Sequence, residues 1–395
     1  MTETSSAIAV TGMGVITPLG DSPVALAEAL AAGRTSIADL PEPSPASASR
    51  LLDFEATRYA NIRGMRVYNR ASRLGICATR LAMTDAQLDS IPAEEMGVVF
   101  ATRYAHLDTL IEYDRDLVTV GPSRTNPALM PLAIASAPGA VTALSFGLKA
   151  FSITLSNGDA GGLDALGLCM HLLEQGRARA AVVVSASSLC SEIVLSAVRA
   201  GLLAEAKDVR VFDRNSRGAA VGEAAVALVL ESVDHARQRG AQTKVILRGH
   251  ASRFAPRQDL VSAALARAAR RALDVARSTP ADLALVSSAG SGVPDTDRAE
   301  ALGLVDVLGE AQPPVIAVKA ALGEAGECSG LLQMVAAITS LTAGTAWPIP
   351  GLSDPAVPGL SYVTQTTPLR GKRALVTATA RTGSCSALVL SSAND

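Results

Sequence analysis

Residues 153–173 read ITLSNGDAGGLDALGLCMHLL: a short β-prone segment, a turn of small residues, then apolar side chains at helical spacing (Leu163, Leu166, Met170, Leu173). Residues 315–338, VIAVKAALGEAGECSGLLQMVAAI, follow the same local grammar. Strand, glycine-rich turn and helix form the unit of an α/β protein, and its occurrence twice points to duplication. A tight turn into a helix N-terminus also suits a nucleophile or an anion, because the free N–H groups and the macrodipole stabilise negative charge there. In the first stretch that position holds Asp159.

The alternation continues on both sides. Residues 7–11 predict a strand, Gly12 and Gly14 a turn, and Asp21-Ser22-Pro23 a capped helix with Pro23 at its first position. Helices are expected over 70–83 and 163–174 and strands over 97–101 and 180–187, where the uninterrupted AAVVVSAS suits a strand covered on both faces. Past a charged surface segment, 234–242, the chain restarts with a strand over 244–248 and a basic helix over 260–276. Strands over 284–289, 315–318, 374–379 and 387–390 and a helix over 331–341 follow. The expected division is into two halves, 1–240 and 241–395.

Composition narrows the function. Of 395 residues 49% are hydrophobic and 18% charged, enough for a large core, and with aromatics at 3% that core must be built from small and aliphatic side chains. The net charge of -2, without a long single-sign run, argues against nucleic acid as a partner. No basic leader precedes an apolar run, and no 18 consecutive residues are uncharged and apolar, so a cytoplasmic protein with no membrane partner is expected. Five scattered cysteines (Cys77, Cys169, Cys190, Cys328, Cys385) lack CxxC spacing and predict reduced thiols and no metal site.

The reactive inventory is thin. A cysteine–histidine mechanism needs a thiol at an elbow and an imidazole beside it. None of the four histidines adjoins a glycine-rich turn: His171 falls in an apolar helix, His106 and His235 read as solvated, and His250 follows a strand. Cys77 and Cys169 fall on helices and Cys190 after a strand, leaving Cys328, in the second glycine turn, as the thiol worth testing.

Several motifs, in order, resemble the β-ketoacyl synthase family and within it the chain-length-factor branch, also called ketosynthase beta. VTGMGVITPLG (10–20) is similar to the family's opening segment, and VFDRNSRGAAVGEAAVALVLE (211–231) to its FDxxxxGxxxGEGAG segment. The resemblance spans nearly the whole chain. It implies a thiolase-like α/β fold of two similar halves in a five-layered α-β-α-β-α arrangement.

Against the family's active members the pattern has lost its chemistry. Where they read roughly CTSGLDA, this chain reads DAGGLDA, with Asp159 at the cysteine position; chain-length factors usually carry glutamine there. NAHGTSTPxxD becomes SSAGSGVPDTD (287–297), placing Ala289 at a histidine position. KSxxGHxxGAAG becomes KAALGEAGECSG (319–330), which retains Lys319 and replaces the second histidine by Glu324. The GFGGTN gate becomes ARTGSC (380–385), with Arg381 at the phenylalanine position. Two readings of Asp159 stay open, a helix cap near Ala160 or a carboxylate that stands in for the reacting end of a malonyl group. Arg381 either neutralises Glu324 or Asp159 or faces solvent.

The resemblance implies a non-catalytic subunit of a type II polyketide synthase, in a heterodimer with a catalytic ketosynthase. It has no cofactor of its own, the substrate being carried on the phosphopantetheine of an acyl carrier protein. Its role would be to shape the tunnel in which a polyketide or polyene chain grows. The expected tunnel segment is 104–117, with Tyr104, Leu107, Leu110, Ile111 and Asp114; the apolar members fit the core face of an amphipathic helix equally well. Two alternatives remain: an enzyme using Asp159 or Glu324 for malonyl decarboxylation or acyl hydrolysis, and a purely structural partner of the ketosynthase.

Overall fold

The computed structural model describes residues 7–40, 46–88, 91–204 and 207–395. Five strands of the first part of the chain, Ile8–Ile16, Met96–Ala101, Ser152–Leu155, Ala180–Ser187 and Ala224–Ser232, lie side by side in the order third, second, fourth, fifth, first. Val245–Phe254, Leu283–Ser287, Pro314–Ile316, Arg373–Thr379 and Ser384–Ser392 repeat that order, with the short strand Ser361–Tyr362 added outside. The directions repeat as well: the second strand is parallel to the third and fourth, and the fifth is antiparallel to the fourth and first.

The two first strands meet. Ile8–Val10 pairs antiparallel with Val245–Leu247, so the strands join into one 11-stranded hydrogen-bonded sheet. Helices Gly161–Glu174 and Cys328–Ala343 lie between the two parts of that sheet and touch both. Helices Arg70–Asp85 and Ala137–Phe146 cover the outer face of the first part, and Val261–Val275 that of the second, with Pro294–Leu308 packed beside it. The result is α-β-α-β-α. Ala180–Ser187 shows why its run has no polar alternation: Val182 and Val184 pack outward while Ala181 and Val183 pack against the central helices.

One local expectation fails. Gly12 and Gly14 form no turn, because the strand continues through them to Ile16. A Cβ on Gly12 would sit 2.3 Å from the carbonyl oxygen of Ala82, and one on Gly14 2.0 Å from that of Ala78. The glycines let helix Arg70–Asp85 rest directly on the strand. The helix start is as expected: Pro23 opens Pro23–Ala31, and the Ser22 Oγ accepts from the Ala25 N–H at 3.1 Å.

Candidate functional site

The two inner helices begin at one place. Gly158 (φ +59°) leads into Gly161–Glu174; Gly323 (φ +70°) and Gly326 (φ +57°) lead into Cys328–Ala343 after one helical turn, Lys319–Leu322. A Cβ on Gly162 would lie 2.3 Å from the Glu327 carbonyl oxygen, so the two elbows are packed backbone to backbone. Neither helix has a side-chain cap at its N-terminus. Negative charge is favoured where two such ends converge, and here stand Asp159, Glu324 and Glu327.

Their environments differ. Glu324 is locked: the Lys319 Nζ donates to its Oε2 at 2.5 Å and the Ser329 Oγ to its Oε1 at 2.7 Å. Lys319 is 2% exposed. Burial alone would lower its pKa, but Glu324 and Asp159 outweigh that and hold it above the ordinary lysine value. Glu327 is buried with its Oε1 unpartnered, and burial, with the Asp159 charge, pushes it up to about 8.

Asp159 is half-buried, and its carboxylate takes no hydrogen bond from the described residues. It does not cap the helix, whose N-cap is Ala160. Burial, then the Glu324 charge, push Asp159 up to about 6 against the pull of Lys319, Arg103 and Arg381. Arg381 is exposed and forms no ion pair with Asp159 or Glu324, so its influence on them is a longer-range field. Ala289 is buried; its N–H donates to the Glu300 Oε1 at 2.8 Å, to which the Thr377 hydroxyl also donates.

Asp159, Ala289, Lys319, Glu324 and Arg381 all line one cavity of about 700 Å3. Buried Ala289 and Lys319 mark its floor, with Asp159 and Glu324 beside them; exposed Arg103, Tyr104 and Arg381 mark its rim. The walls between are largely apolar, including Leu107, Ile111, Ile193, Leu203 and Val293. Three of the five expected tunnel residues are therefore here: Tyr104, Leu107 and Ile111. Leu110 and Asp114, on the same helix Leu107–Thr119, do not line the cavity, and Asp114 lies exposed.

No cysteine or histidine lines this cavity. Cys328 sits inside the first helical turn, not in the glycine turn; it is buried, its Sγ is 3.6 Å from the Ser185 carbonyl oxygen, and burial pushes its thiol well above the usual range. His250 lies within strand Val245–Phe254, 2.9 Å from the Ser386 Oγ and 3.3 Å from Asp164. His235 is not solvated: its side chain is mostly buried against Glu231 at 2.8 Å. His106 is only partly exposed, with its Nδ1 buried and unpartnered. Glu327 and Arg103 went unread in the sequence; the available signal was a second glutamate three residues after Glu324, just before an apolar helix.

Among the described residues no helix is long and apolar enough to cross a membrane, and no cluster of three or more His, Cys, Asp or Glu is placed to hold a metal ion. Residues 5–236 match the β-ketoacyl synthase N-terminal domain family, and residues 241–353 the β-ketoacyl synthase C-terminal domain family. The chain is 30% identical to the tetracenomycin polyketide synthase ketoacyl synthase beta subunit of Streptomyces glaucescens, over 97% of this chain and 98% of that one. It is 28% identical to the alpha subunit of that synthase, over 88% of each chain. The solved ishigamide ketosynthase/chain length factor superposes with a TM-score of 0.89 at 25% identity, covering 98% of this chain and 99% of that one.

Proposed function

The chain belongs to the β-ketoacyl synthase family, and from that premise we propose that it is the non-catalytic chain-length-factor subunit of a type II polyketide synthase. It pairs with a catalytic ketosynthase and helps to set the length of a polyketide or polyene carried on the phosphopantetheine of an acyl carrier protein. One observation carries the reading: the elbow cavity contains a carboxylate at the cysteine position and a Lys319–Glu324 ion pair, and neither a thiol nor an imidazole. Condensation through an acyl-enzyme requires a nucleophile that accepts a thioester and an acid–base partner, and the cavity offers no such pair.

The surface supports a partner of similar shape. Strand Ser152–Leu155 ends the sheet with one edge unpaired among the described residues. Beside it helix Ala137–Phe146 exposes Leu144, and the neighbouring segments expose Met130, Ile134 and Val118. An open strand edge flanked by apolar side chains is a surface that a second subunit covers. The likeness to both the beta and the alpha subunit of one synthase supports pairing of related chains.

The test uses the complex of this chain with its ketosynthase. Ile111→Phe, which adds bulk to the cavity wall, is expected to shorten the product while the complex stays intact; Leu110→Phe, off the cavity, is expected to leave it unchanged. Unchanged products from Ile111→Phe would leave a structural partner. The enzymatic alternative rests on Asp159, a cavity-lining carboxylate that no protein hydrogen bond holds among the described residues, unlike Glu324, which Lys319 and Ser329 hold. Release of carbon dioxide from malonyl carrier protein, or of free acid from acyl carrier protein, by the chain alone and lost in Asp159→Asn would establish that alternative.

A further inference from the structure

A second cavity, of about 680 Å3, opens at the far end of helix Cys328–Ala343, away from the elbow. Buried Met13, Val15 and Ile338 form its floor, and Val24, Ala27 and Leu81 continue the apolar wall. The charge around that wall is one-sided. Lys244 is the only cationic side chain lining it and is already engaged: its Nζ lies 3.0 Å from Asp85, whose Oδ2 also accepts the Met13 N–H at 2.8 Å. Glu28 forms no ion pair and no side-chain hydrogen bond among the described residues, and Asp21 accepts only from the Tyr59 hydroxyl, at 3.2 Å. Two helices also end at this cavity, Arg70–Asp85 with Thr84 and Asp85 and Cys328–Ala343 with Thr342 and Ala343. Neither has a basic residue in its last turn, so the negative end of each macrodipole lacks a counter-charge from its own helix.

We propose that this cavity binds an amphipathic cation, with an ammonium group at the rim formed by Asp21, Glu28 and the two helix ends and an aliphatic or aromatic body over Met13, Val15 and Ile338. The body gains by leaving water, and the head supplies the positive charge that the rim lacks. A carboxylate head would be repelled by both acids and both helix ends, and a neutral head would gain nothing from them. Cavities of this size normally enclose most of a small ligand. The elbow cavity does not compete for such a ligand on equal terms, because Lys319, Arg103 and Arg381 are among its lining residues.

The proposal is independent of the length-setting reading, because it concerns another cavity and what the isolated chain binds there. The probes are 4-phenylbutylamine, an ammonium at neutral pH, and 4-phenylbutanol, its neutral counterpart of the same length, titrated calorimetrically into the full-length chain at low ionic strength. The ammonium is expected to bind about fivefold more tightly, the fold-change of a cation at two helix ends. Raising the salt to about 1 M, where charges are screened beyond about 3 Å, should narrow that preference. So should Asp21→Asn combined with Glu28→Gln, both at exposed positions. Thr342→Trp, at an exposed position on the wall, fills the cavity and should abolish binding of both probes.

Ile111→Phe, which alters the elbow cavity alone, should change neither affinity. Equal affinity of the two probes for the wild-type chain, or no binding of either, overturns the proposal without needing any variant to fold. Binding that survives Thr342→Trp, or that Ile111→Phe removes, overturns it as well. A second copy of the chain seated in the groove would leave the probes no site and would appear as a dimer that Thr342→Trp dissociates, and that result also overturns the proposal. Product lengths in the Ile111→Phe complex test the length-setting reading separately.

Discussion

The two elbows are built alike and used differently. Each brings a strand through glycines at positive φ into an uncapped helix, and each sets an acidic residue at the mouth of that helix. In the second half the acid, Glu324, is held by Lys319 and Ser329 and is tied by its backbone to Ala220 and Gly222 at 2.7 Å each. In the first half Asp159 is held by nothing but its own backbone. The same chemical group is thus a structural clamp on one side and an unsatisfied acceptor on the other. Whether a carboxylate at a helix N-terminus is structural or available is decided by the partner that reaches it.

The strongest way to break this comparison is to remove the clamp. Lys319→Met leaves Glu324 with Ser329 alone and strips the only buried cation among the described residues, one whose charge also acts on Asp159, Asp297 and Glu300. A loss of about 3–5 kcal/mol is expected in urea unfolding at pH 7.5, the usual cost of orphaning a buried charge. Pairing it with Glu324→Leu should recover much of that loss. A small effect of Lys319→Met alone would mean that Glu324 is no clamp.

The acids that no cation clamps should report themselves through pH. Burial raises Asp159 and Asp297 to about 6, Glu300 to about 7 and Glu327 to about 8. A carboxyl whose folded pKa lies above its unfolded value binds more protons when folded, so its contribution is full below about pH 4. That contribution is lost as pH climbs through the folded value. From these groups, stability should decline between about pH 5 and 8. Glu327→Gln removes the steepest contributor: it should stabilise by about 1–3 kcal/mol at pH 8.5 and by nothing measurable near pH 4. A Glu327→Gln variant with an unaltered pH profile would place that carboxyl in contact with water.

What the sequence made legible follows from how local each signal is. Strand Ala180–Ser187 and helices Gly161–Glu174 and Val261–Val275 declare themselves through periodicity and run length, which depend only on neighbours. The motif positions Asp159, Ala289, Lys319, Glu324 and Arg381 converge on one cavity because each lies at the end of an element in a repeated topology. Gly12 and Gly14 misled because their reason is the helix laid across them some 70 residues later. Of the expected tunnel segment Tyr104, Leu107 and Ile111 line the cavity and Leu110 and Asp114 do not, because the spacing of apolar residues gives the stripe of a helix and not which edge of that stripe meets a cavity. Glu327 was missed because a charged residue in a glycine turn looks solvated until the opposite elbow is known to cover it.

The finest test of the difference between the elbows is the smallest in energy. Asp159→Asn and Glu324→Gln make the same chemical change at pseudo-equivalent places. At Glu324 the change removes the counter-charge of Lys319 and should cost about 1.5–3 kcal/mol, the range for a hydrogen bond to a charged group. At Asp159 no protein hydrogen bond is lost, a partly buried charge is removed, and the repulsion of Glu324 is relieved; the attraction of Lys319, Arg103 and Arg381 is forfeited in exchange. The raised pKa means that burial and repulsion outweigh that attraction, so Asp159→Asn, which breaks no specific contact, should be neutral to modestly stabilising, by up to about 1 kcal/mol at pH 7.5 for this half-buried group. Because the Asp159 pKa is raised, the variant should gain relative to the parent as pH increases from 5 to 8, the sign opposite to that of a salt-bridged aspartate. A loss of 2 kcal/mol or more at Asp159→Asn would show that the first elbow is clamped too and would collapse the distinction between the two.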